Sequence, residues 1–268
     1  MDVFHAILLG TVQGLTEFLP ISSSGHLVII GALIERDLEA AGSTAQTVLL
    51  HLGSLLAILY VFRADILRLF RPRMAWNSLG LLAVASVPAV IAGVVIKLLL
   101  PDSSAGWVEL NVLNSPLVAA FGLLATAALL WMAERPREAR VEFEGARGID
   151  FWLVTLIGLA QMCAILPGVS RSGSTICVAL MLGWVRNDAV KLSFLMGLIA
   201  IGGAGLVEAR NISQIEAGPA IAGFIASLVF SLLGLWGIKL VVARSKLRWF
   251  AVYCLFAGCG TLCWLALA

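Results

Sequence analysis

The sequence predicts an all-α integral membrane protein, with six transmembrane helices and two re-entrant helical hairpins in an inverted-topology repeat. Three observations predict this fold class: a strongly apolar composition, long apolar runs that recur along the chain, and a broken polar motif that occurs twice. Of the 268 residues, 60% are hydrophobic and 13% are charged, whereas about 25% are charged in an average soluble domain. We therefore expect a single polytopic membrane domain over residues 1–268.

Six apolar segments reach, or nearly reach, the length of about 17 to 25 residues that a membrane-spanning helix needs. Two other regions, 3–34 and 151–185, each contain two short apolar pieces separated by a polar stretch rich in Pro, Ser and Gly. Broken backbone is tolerated at membrane depth only where it is buried in protein or lines a polar cavity, so each region predicts a re-entrant hairpin. The six predicted spans are about 47–62, 79–100, 113–133, 192–207, 217–242 and 249–267.

The polar breaks of the two hairpins are similar in sequence. GTVQGLTEFLPISSSGH, from Gly10, aligns with GLAQMCAILPGVSRSGS, from Gly158, at an offset of 148 residues that slips to 147 at Leu-Pro. Each copy precedes three predicted spans, and an odd number of crossings inverts the second copy relative to the first. The repeat halves are predicted at about 1–133 and 151–268, joined by a charged, solvated cytoplasmic linker at 134–150.

The basic residues favour one orientation in the membrane. Four segments on one side of the predicted topology carry thirteen Lys and Arg residues, whereas three lie on or near the other side. Because positive charge is enriched in cytoplasmic loops, the four segments are predicted to be cytoplasmic. The first hairpin then enters from outside and the second from the cytoplasm, so that their tips meet near the midplane. The four segments are 63–73, 134–150, 186–191 and 243–248.

Each break holds one charged residue that is out of place in a membrane. Glu17 is the only acidic residue within a break, and Arg171 is the only basic one. An ionisable group at depth costs roughly 2.5 to 3.5 kcal/mol on insertion scales and is functional by default. A guanidinium suits bidentate recognition of phosphate. The alternatives are a structural Glu17 satisfied by hydroxyls and amides, and an internal salt bridge between Arg171 and Glu17.

The breaks also supply hydroxyls, an imidazole and helix ends. A half-helix is expected from about His26 and another from about Thr175, and their N-terminal amides and positive dipole ends suit an anion such as phosphate. The alternative is that the Ser-Gly pairs at 24–25 and 172–173 only cap these helices. In EFLPISSSGH, a hydroxyl, an imidazole and a carboxylate could act as nucleophile, general acid or base, and orienting group.

Several residues outside this chemistry are interpreted as packing residues. Gly10 and Gly14 form a GxxxG pattern, which is typical of close helix packing. His5 and His51 lie on apolar stretches and are expected to be hydrogen-bonded packing residues, with a place in the cavity as the alternative for His51. Five cysteines lie in apolar stretches without metal-site spacing: Cys163, Cys177, Cys254, Cys259 and Cys263.

The motifs GLTEFLPISSSGHL and LPGVSRSGST resemble those of the bacterial undecaprenyl-diphosphate phosphatase family, also called the bacitracin-resistance protein family. The resemblance covers nearly the whole chain, including SVPAVIAG at 86–93 and LSFL at 192–195. It implies a membrane phosphatase that hydrolyses undecaprenyl diphosphate to undecaprenyl phosphate and inorganic phosphate. Such an enzyme recycles the lipid carrier for cell-wall synthesis and gives bacitracin resistance. The implied location is the bacterial cytoplasmic membrane, with an active site that opens to the periplasmic side.

The resemblance also implies roles for the residues that match the family's motifs. Glu17 and His26 would manage protons or a metal, Arg171 would hold the diphosphate, and Ser23 is our first choice of nucleophile, with His26 as the alternative. Many relatives carry a second Glu where this chain has Gln13, which leaves Glu17 as the single strong ligand or base. The expected substrate-binding residues are Gln13, Ser22, Ser24, Gly25, Ser170, Ser172, Gly173, Ser174 and Thr175.

A divalent cation, magnesium or calcium, is the expected cofactor, with Glu17 as its ligand. The expected partners are the lipid substrate and membrane lipids, not nucleic acid, and a homodimer is left open. A rival interpretation is a flippase that moves a polyprenyl phosphate without cleaving it, since inverted repeats with broken helices are common in transporters. A structural scaffold would explain neither Glu17 nor Arg171.

Overall fold

The computed structural model describes residues 2–34, 44–69, 75–134, 141–143, 151–208, 216–243 and 246–267. Within these residues the chain forms twelve α-helices, and short π-helical turns at Val95–Leu99 and Glu109–Leu113 extend α5 and α6. The helices are α1 (Val3–Phe18), α2 (Ser23–Ile34), α3 (Thr44–Val61), α4 (Arg63–Leu69), α5 (Ala75–Val94), α6 (Asp102–Val108), α7 (Pro116–Ala133), α8 (Phe151–Cys163), α9 (Arg171–Met181), α10 (Arg186–Glu208), α11 (Ala217–Ala243) and α12 (Leu247–Leu267).

Four of these helices are long and apolar enough to cross a membrane by themselves. They are α7, α10, α11 and α12, and a fifth span results if α3 and α4, which meet at a bend of 74°, are counted together. A helix coincides with each of the six predicted spans, but the apolar part of α5 at Ser78–Val94 is shorter than the others. An all-α membrane fold with four to five candidate spans is confirmed, and the count of six stays a prediction. Helices α4 and α6 were not predicted.

The two predicted hairpins are pairs of short helices with a non-helical break. Residues 19–22 separate α1 from α2, and residues 164–170 separate α8 from α9. The second helix of each pair begins at Ser23 and at Arg171, three and four residues earlier than predicted. The nucleophile candidate and the arginine therefore lie in the first turns of these helices.

The caps of α2 and α9 are not the Ser-Gly pairs. Ser22 Oγ accepts a hydrogen bond from the Gly25 amide at 3.3 Å, and Ser170 Oγ accepts one from the Gly173 amide at 3.0 Å. A hydroxyl of the residue before a helix typically satisfies one of the free amides of the first turn. The interpretation of Ser24 and Ser172 as caps is thus wrong, because Ser22 and Ser170 make the capping bonds.

Small residues bring each hairpin against a long helix of the other half. A Cβ at Gly14 would lie 2.5 Å from the carbonyl oxygen of Ser227 in α11, and a Cβ at Gly10 would collide with the Gly223 carbonyl. In the second half, a Cβ at Gly158 would lie 2.5 Å from the carbonyl oxygen of Ala85 in α5. The close packing predicted from the GxxxG pattern is confirmed.

An aromatic cluster lies beside the breaks. The ring of Phe194 makes edge contacts with Phe18 at a centroid distance of 5.4 Å and with Phe62 at 5.6 Å. Such pairs contribute about 0.5 to 1.5 kcal/mol beyond their buried area. Phe18 follows Glu17 directly in the chain, so this packing helps to fix the carboxylate.

One part of the predicted linker is buried rather than solvated. Phe143 is 2% exposed, and its ring lies 6.5 Å from that of Trp184. Its amide donates to Asp188 Oδ2 at 3.1 Å. The prediction of a fully solvated linker is wrong at this residue because an aromatic side chain gains more from the apolar core than from water. Residues 135–140 and 144–150 of the linker lie outside the described residues.

The five cysteines are free thiols, in two different environments. Cys177 and Cys254 are buried in the core, as expected of packing residues, whereas Cys163, Cys259 and Cys263 are exposed. The packing interpretation is therefore confirmed for two of them and wrong for three, which lie on the outer surfaces of apolar helices.

Candidate active site

Glu17 is the centre of a hydrogen-bond network that joins the two hairpins. Its Oε2 accepts from Ser23 Oγ at 2.6 Å and from Gln13 Nε2 at 2.9 Å, and its Oε1 accepts from Arg171 Nη2 at 2.6 Å. Gln13 lies one turn earlier on α1, which explains its contact. Three of the four predicted catalytic residues, Glu17, Ser23 and Arg171, are thus in direct contact.

The guanidinium of Arg171 is fixed at two points. Its Nη2 pairs with Glu17, and its Nη1 donates to the carbonyl oxygen of Ser193 at 3.1 Å. The predicted internal salt bridge is therefore present. A guanidinium has five N–H donors, so it has further donors beyond these two contacts with which to bind an anion.

Gly197 on α10 makes room for this guanidinium. A Cβ at Gly197 would lie 2.5 Å from Arg171 Cζ and 2.7 Å from its Nη2. The atoms in conflict are at the far end of a flexible side chain, so an added methyl group displaces the guanidinium rather than the backbone. Gly197 is thus a positioning residue for Arg171.

We expect Gly197→Ala to fold and to lose about tenfold to a hundredfold in phosphate-release rate, because a displacement of about 1 Å at a reacting site has that order of effect. Gly202→Ala is the matched control, since a Cβ at Gly202 on the same helix meets nothing within 4 Å. Steady-state kinetics and melting temperatures of both variants check this. Equal activity of the two variants would show that Gly197 does not position Arg171.

Ser22, which precedes the candidate nucleophile, has an unusual backbone conformation. Its φ of 67° is the only positive value among the described residues other than glycine. For such a residue the left-handed region costs about 1 to 2 kcal/mol, and strain of this kind clusters at functional sites. The turn directs the chain into α2 with Ser23 at its first position, where the hydroxyl reaches Glu17.

His26 is held at the edge of the network. Its Nδ1 lies 2.7 Å from the Ser22 carbonyl oxygen, which can only accept, so Nδ1 carries the hydrogen. Its Nε2 then accepts from the Tyr253 hydroxyl at 2.7 Å, and the two rings stack at 5.6 Å. Both ring nitrogens are therefore bonded to groups other than Glu17 and Ser23. This arrangement favours Ser23 over His26 as the nucleophile.

The tip of the second hairpin is fixed to α7 by Thr126. Its hydroxyl donates to the Gly168 carbonyl at 2.8 Å and accepts from the Ser170 amide at 2.9 Å. Gly168 has a φ of +85° and lies so close to Ala119 that a Cβ would collide with its carbonyl oxygen. Only glycine fits this position, which explains the Pro-Gly pair at the break.

The remaining predicted binding residues lie around the two tips. Ser172 Oγ donates to the Leu19 carbonyl at 3.3 Å, and Ser24 Oγ lies 3.3 Å from Ser22 Oγ. Thr175 Oγ1 lies 2.7 Å from Ser193 Oγ, whereas the buried hydroxyl of Ser174 has no hydrogen-bond partner. Of these residues, Ser172 thus contacts the other break, whereas Ser24 bonds within its own break and Thr175 lies against α10.

The two other histidines differ in position. His51 Nε2 lies 3.6 Å from Glu17 Oε2, whereas His5 pairs with Asp2 at the start of α1. His51 Nδ1 lies 2.7 Å from the Thr47 carbonyl oxygen, so the expected hydrogen bond is present. The His51 side chain borders Glu17 but is not among those that line the cavity next to Arg171. Its spacing of 34 residues from Glu17 gave no pattern in the sequence, since a different helix carries it.

A cavity of about 430 Å³ extends from Arg171 between α3, α5, α8 and α10. This volume lies in the usual range of ligand pockets, about 300 to 1,000 Å³. Three of its lining side chains are polar, those of Ser86, Gln161 and Arg171, and the others are apolar or glycine. The site thus combines a charged centre with an apolar chamber, as an amphiphilic phosphorylated ligand requires.

Comparison with known proteins identifies the family of this chain. Residues 6–260 match the family described as bacitracin resistance protein BacA. The chain belongs to this family. Proteins named undecaprenyl-diphosphatase are similar over nearly their full length: one of Methanosphaera stadtmanae is 33% identical, covering 98% of each chain. One of Christiangramia forsetii is 35% identical over 96% of each chain. One of Geobacter sulfurreducens is 38% identical over 99% of each chain.

Sequence reasoning about this BacA family chain missed four residues of the site. Thr126 and Gly197 act through a contact with the backbone or a missing Cβ, which leaves no signature in the sequence. Tyr253 lies in α12, 227 residues from His26, and is one of many aromatic residues in apolar segments. Only Ser193 was within reach, since it belongs to the LSFL motif.

A divalent cation at Glu17 would need further ligands from the substrate. Within the described residues, no group of three or more His, Cys, Asp or Glu side chains could hold a metal by itself. Gln13 Oε1, however, is a buried carbonyl oxygen without a hydrogen-bond partner, on the side chain whose Nε2 donates to Glu17. Magnesium is commonly held by one or two carboxylates together with substrate phosphates.

Proposed function

We propose that this protein hydrolyses undecaprenyl diphosphate to undecaprenyl phosphate and inorganic phosphate. The observation that carries the proposal is the contact of Ser23 Oγ with Glu17 Oε2 at 2.6 Å, with Arg171 on the other oxygen of the same carboxylate. A hydroxyl beside a base and a guanidinium is the arrangement that phosphoryl transfer needs. The family and the names of its relatives support the lipid diphosphate as substrate.

In the first step, Ser23 Oγ attacks the terminal phosphorus and its proton passes to the Glu17 carboxylate. The bond from this phosphorus to the bridging oxygen breaks, and undecaprenyl phosphate leaves with that oxygen. Water then attacks the serine phosphate ester, Glu17 returns its proton to Ser23 Oγ, and inorganic phosphate leaves. Arg171 binds the oxygens of the transferred group throughout, where negative charge must be stabilised.

Other groups support this chemistry without changing its steps. His26 holds the Ser22 carbonyl and so positions the turn before the nucleophile. A magnesium or calcium ion, if held by Glu17 and Gln13, would neutralise phosphate charge. The first isoprene units of the substrate would lie in the apolar cavity next to Arg171.

Phosphate release by the purified protein tests this function. Given undecaprenyl diphosphate or farnesyl diphosphate in detergent, the protein should release one inorganic phosphate per molecule and leave the monophosphate. A flippase would instead move a labelled polyprenyl phosphate between leaflets of a vesicle without releasing phosphate. The names of the three relatives describe a hydrolase and give no support to the flippase alternative.

The finer topology belongs to the same proposal: six spans and two re-entrant hairpins in an inverted repeat, with the site opening to the periplasm. The packing of α1 on α11 and of α8 on α5 supports it, because these pairs are equivalent under the repeat. The cavity lining supports an outward opening, since Val94 and Ala204 lie towards helix ends next to loops predicted outside. The cytoplasmic membrane, the single domain and a homodimer stay predictions.

Cysteine labelling tests this orientation. In a variant without the five native cysteines, we expect Ser103→Cys to react with an impermeant maleimide in intact cells and Ala64→Cys to react only after lysis. Both positions are exposed, so a difference in labelling reports the side of the membrane. Labelling of Ala64→Cys in intact cells, with Ser103→Cys protected, would reverse the orientation.

A further inference from the structure

Two buried polar side chains of the apolar cavity have no hydrogen-bond partner. Gln161 in α8 is 3% exposed and Ser86 in α5 is 4% exposed. Gln161 Nε2, Gln161 Oε1 and Ser86 Oγ are all buried and unpaired. Both side chains line the cavity that Arg171 also lines. Because buried polar groups are nearly always hydrogen-bonded in native proteins, these two need an explanation.

Comparison of the two repeats shows why Gln161 is unpaired. Its counterpart Gln13 donates to Glu17, one turn later on the same helix. One turn after Gln161 the chain has Ile165, which offers no acceptor. The second repeat therefore has the amide without this partner, so both polar groups of Gln161 are free to bind a ligand.

Gln161 and Ser86 lie on surfaces that pack together. A Cβ at Gly158, one turn before Gln161, would lie 2.5 Å from the carbonyl oxygen of Ala85, the neighbour of Ser86. The amide and the hydroxyl are thus donors from two packed helices, on the wall of a cavity that is otherwise apolar except for Arg171.

We propose that Gln161 and Ser86 bind the inner phosphate of the substrate, the one that stays on the lipid, while the prenyl chain occupies the cavity. This inference rests on the proposed function. The terminal phosphate must lie at Ser23 and Arg171, and the chain must lie against apolar side chains. The inner phosphate lies between them. The amide N–H of Gln161 and the hydroxyl of Ser86 can both donate to its oxygens.

Gln161 and Ser86 are both uncharged, and this also has a functional reason. The inner phosphate is part of the product, which must leave after each turnover. Hydrogen bonds from neutral donors are weaker than those from charged ones, so a neutral pair orients the substrate without retaining the product. Arg171, by contrast, binds the group that is transferred to Ser23.

Binding of three ligands, farnesyl monophosphate, farnesol and inorganic phosphate, separates recognition of the inner phosphate from binding of the prenyl chain or of the terminal phosphate. Farnesyl monophosphate carries the inner phosphate and part of the chain, farnesol carries only the chain, and inorganic phosphate probes the Arg171 centre. We expect Gln161→Leu to weaken farnesyl monophosphate binding at least about tenfold, as loss of a hydrogen bond to a charged group does. Ser86→Ala should weaken it severalfold. Calorimetry should show unchanged affinities for the other two ligands.

Ser78→Ala is the matched control, because Ser78 is also on α5 and 4% exposed but does not line the cavity. In hydrolysis assays, Gln161→Leu should raise KM and lower kcat, because the inner phosphate is bound in the substrate and gains negative charge as its bridging oxygen leaves the terminal phosphorus. Gln161→Met serves the same purpose if the leucine variant does not fold. Melting temperatures exclude a general loss of structure.

Two results would overturn the inference. One is unchanged farnesyl monophosphate binding in Gln161→Leu or Gln161→Met, which would leave the side chain a structural role, such as holding a buried water. The other is equal weakening for farnesyl monophosphate and farnesol, which would indicate a changed cavity shape. Phosphate release by the parent protein tests the proposed function separately. If the parent protein releases no phosphate from undecaprenyl diphosphate, the proposed function is wrong, whatever the binding data show.

Discussion

Glu17→Gln should lower the rate of phosphate release from undecaprenyl diphosphate by at least about a hundredfold, the lower end for loss of an acid–base group. Glu17 Oε2 lies 2.6 Å from the hydroxyl of Ser23, so the carboxylate is placed to take the proton as Ser23 attacks phosphorus. A glutamine side chain keeps one oxygen, which can accept from Arg171, but it does not take up the proton of Ser23. The loss should therefore appear in kcat.

The KM of Glu17→Gln separates a catalytic role of Glu17 from a structural one. Glutamine still offers Arg171 an oxygen, so the variant should fold, but the negative charge that pairs with the guanidinium is gone. The KM of Glu17→Gln should consequently stay unchanged or fall, because Arg171 is freer to bind phosphate. A structural defect would instead lower the melting temperature.

Glu216→Gln is the control for this substitution, since Glu216 is exposed before α11 and should have parental kinetics. Steady-state assays with both variants and a thermal melt in detergent decide the matter. A well-folded Glu17→Gln protein with near-normal turnover would remove Glu17 from the mechanism.

Much of this site was predictable because its chemistry is unusual for its environment. Glu17 and Arg171 are charged residues inside apolar hairpins, and their cost at membrane depth marks them in the sequence alone. The repeated motif placed them in equivalent breaks, and in the structure Arg171 Nη2 lies 2.6 Å from Glu17 Oε1. A charged residue within an apolar segment is therefore a functional signal that the sequence alone shows.

The parts that were not predictable depend on geometry between distant segments. The role of Gly197 depends on the place where the Arg171 side chain ends, and His51 reaches Glu17 only because α3 packs beside α1. Phe143 was assigned to solvent because its neighbours in the sequence are charged, although its own ring is buried. Composition describes a segment, whereas burial is decided residue by residue.

The first residue of a helix was also not predictable from the sequence. The second half-helix begins at Arg171 rather than at Thr175, because Ser170 caps it. Capping depends on one side-chain oxygen reaching one amide, and three serines in each break, at 22–24 and at 170, 172 and 174, offer comparable candidates. The choice among them requires the backbone conformation, which the sequence pattern does not contain.

The second large effect is expected at Arg171. Arg171→Ala should lose about a thousandfold or more in kcat/KM, in the range seen when an arginine that stabilises a transferred phosphoryl group is removed. It would also leave the Glu17 carboxylate buried without its cation, and breaking a buried pair in this way costs about 3 to 5 kcal/mol. The alanine variant therefore combines a catalytic loss with a stability loss, and it does not by itself identify the role of the guanidinium.

Arg171→Lys is the deciding variant because it keeps the positive charge next to Glu17. The guanidinium bonds Glu17 through Nη2 and the Ser193 carbonyl through Nη1, and its planar fork leaves further donors for two phosphate oxygens at once. An ammonium group is a single point charge that does not reproduce this geometry.

We expect Arg171→Lys to melt close to the parent protein and to lose at least about tenfold in activity, with a higher KM. Arg248→Lys, at an exposed position of α12, is the control for the same exchange. If Arg171→Lys hydrolyses undecaprenyl diphosphate like the parent, charge alone suffices at this position, and bidentate phosphate binding by Arg171 is wrong.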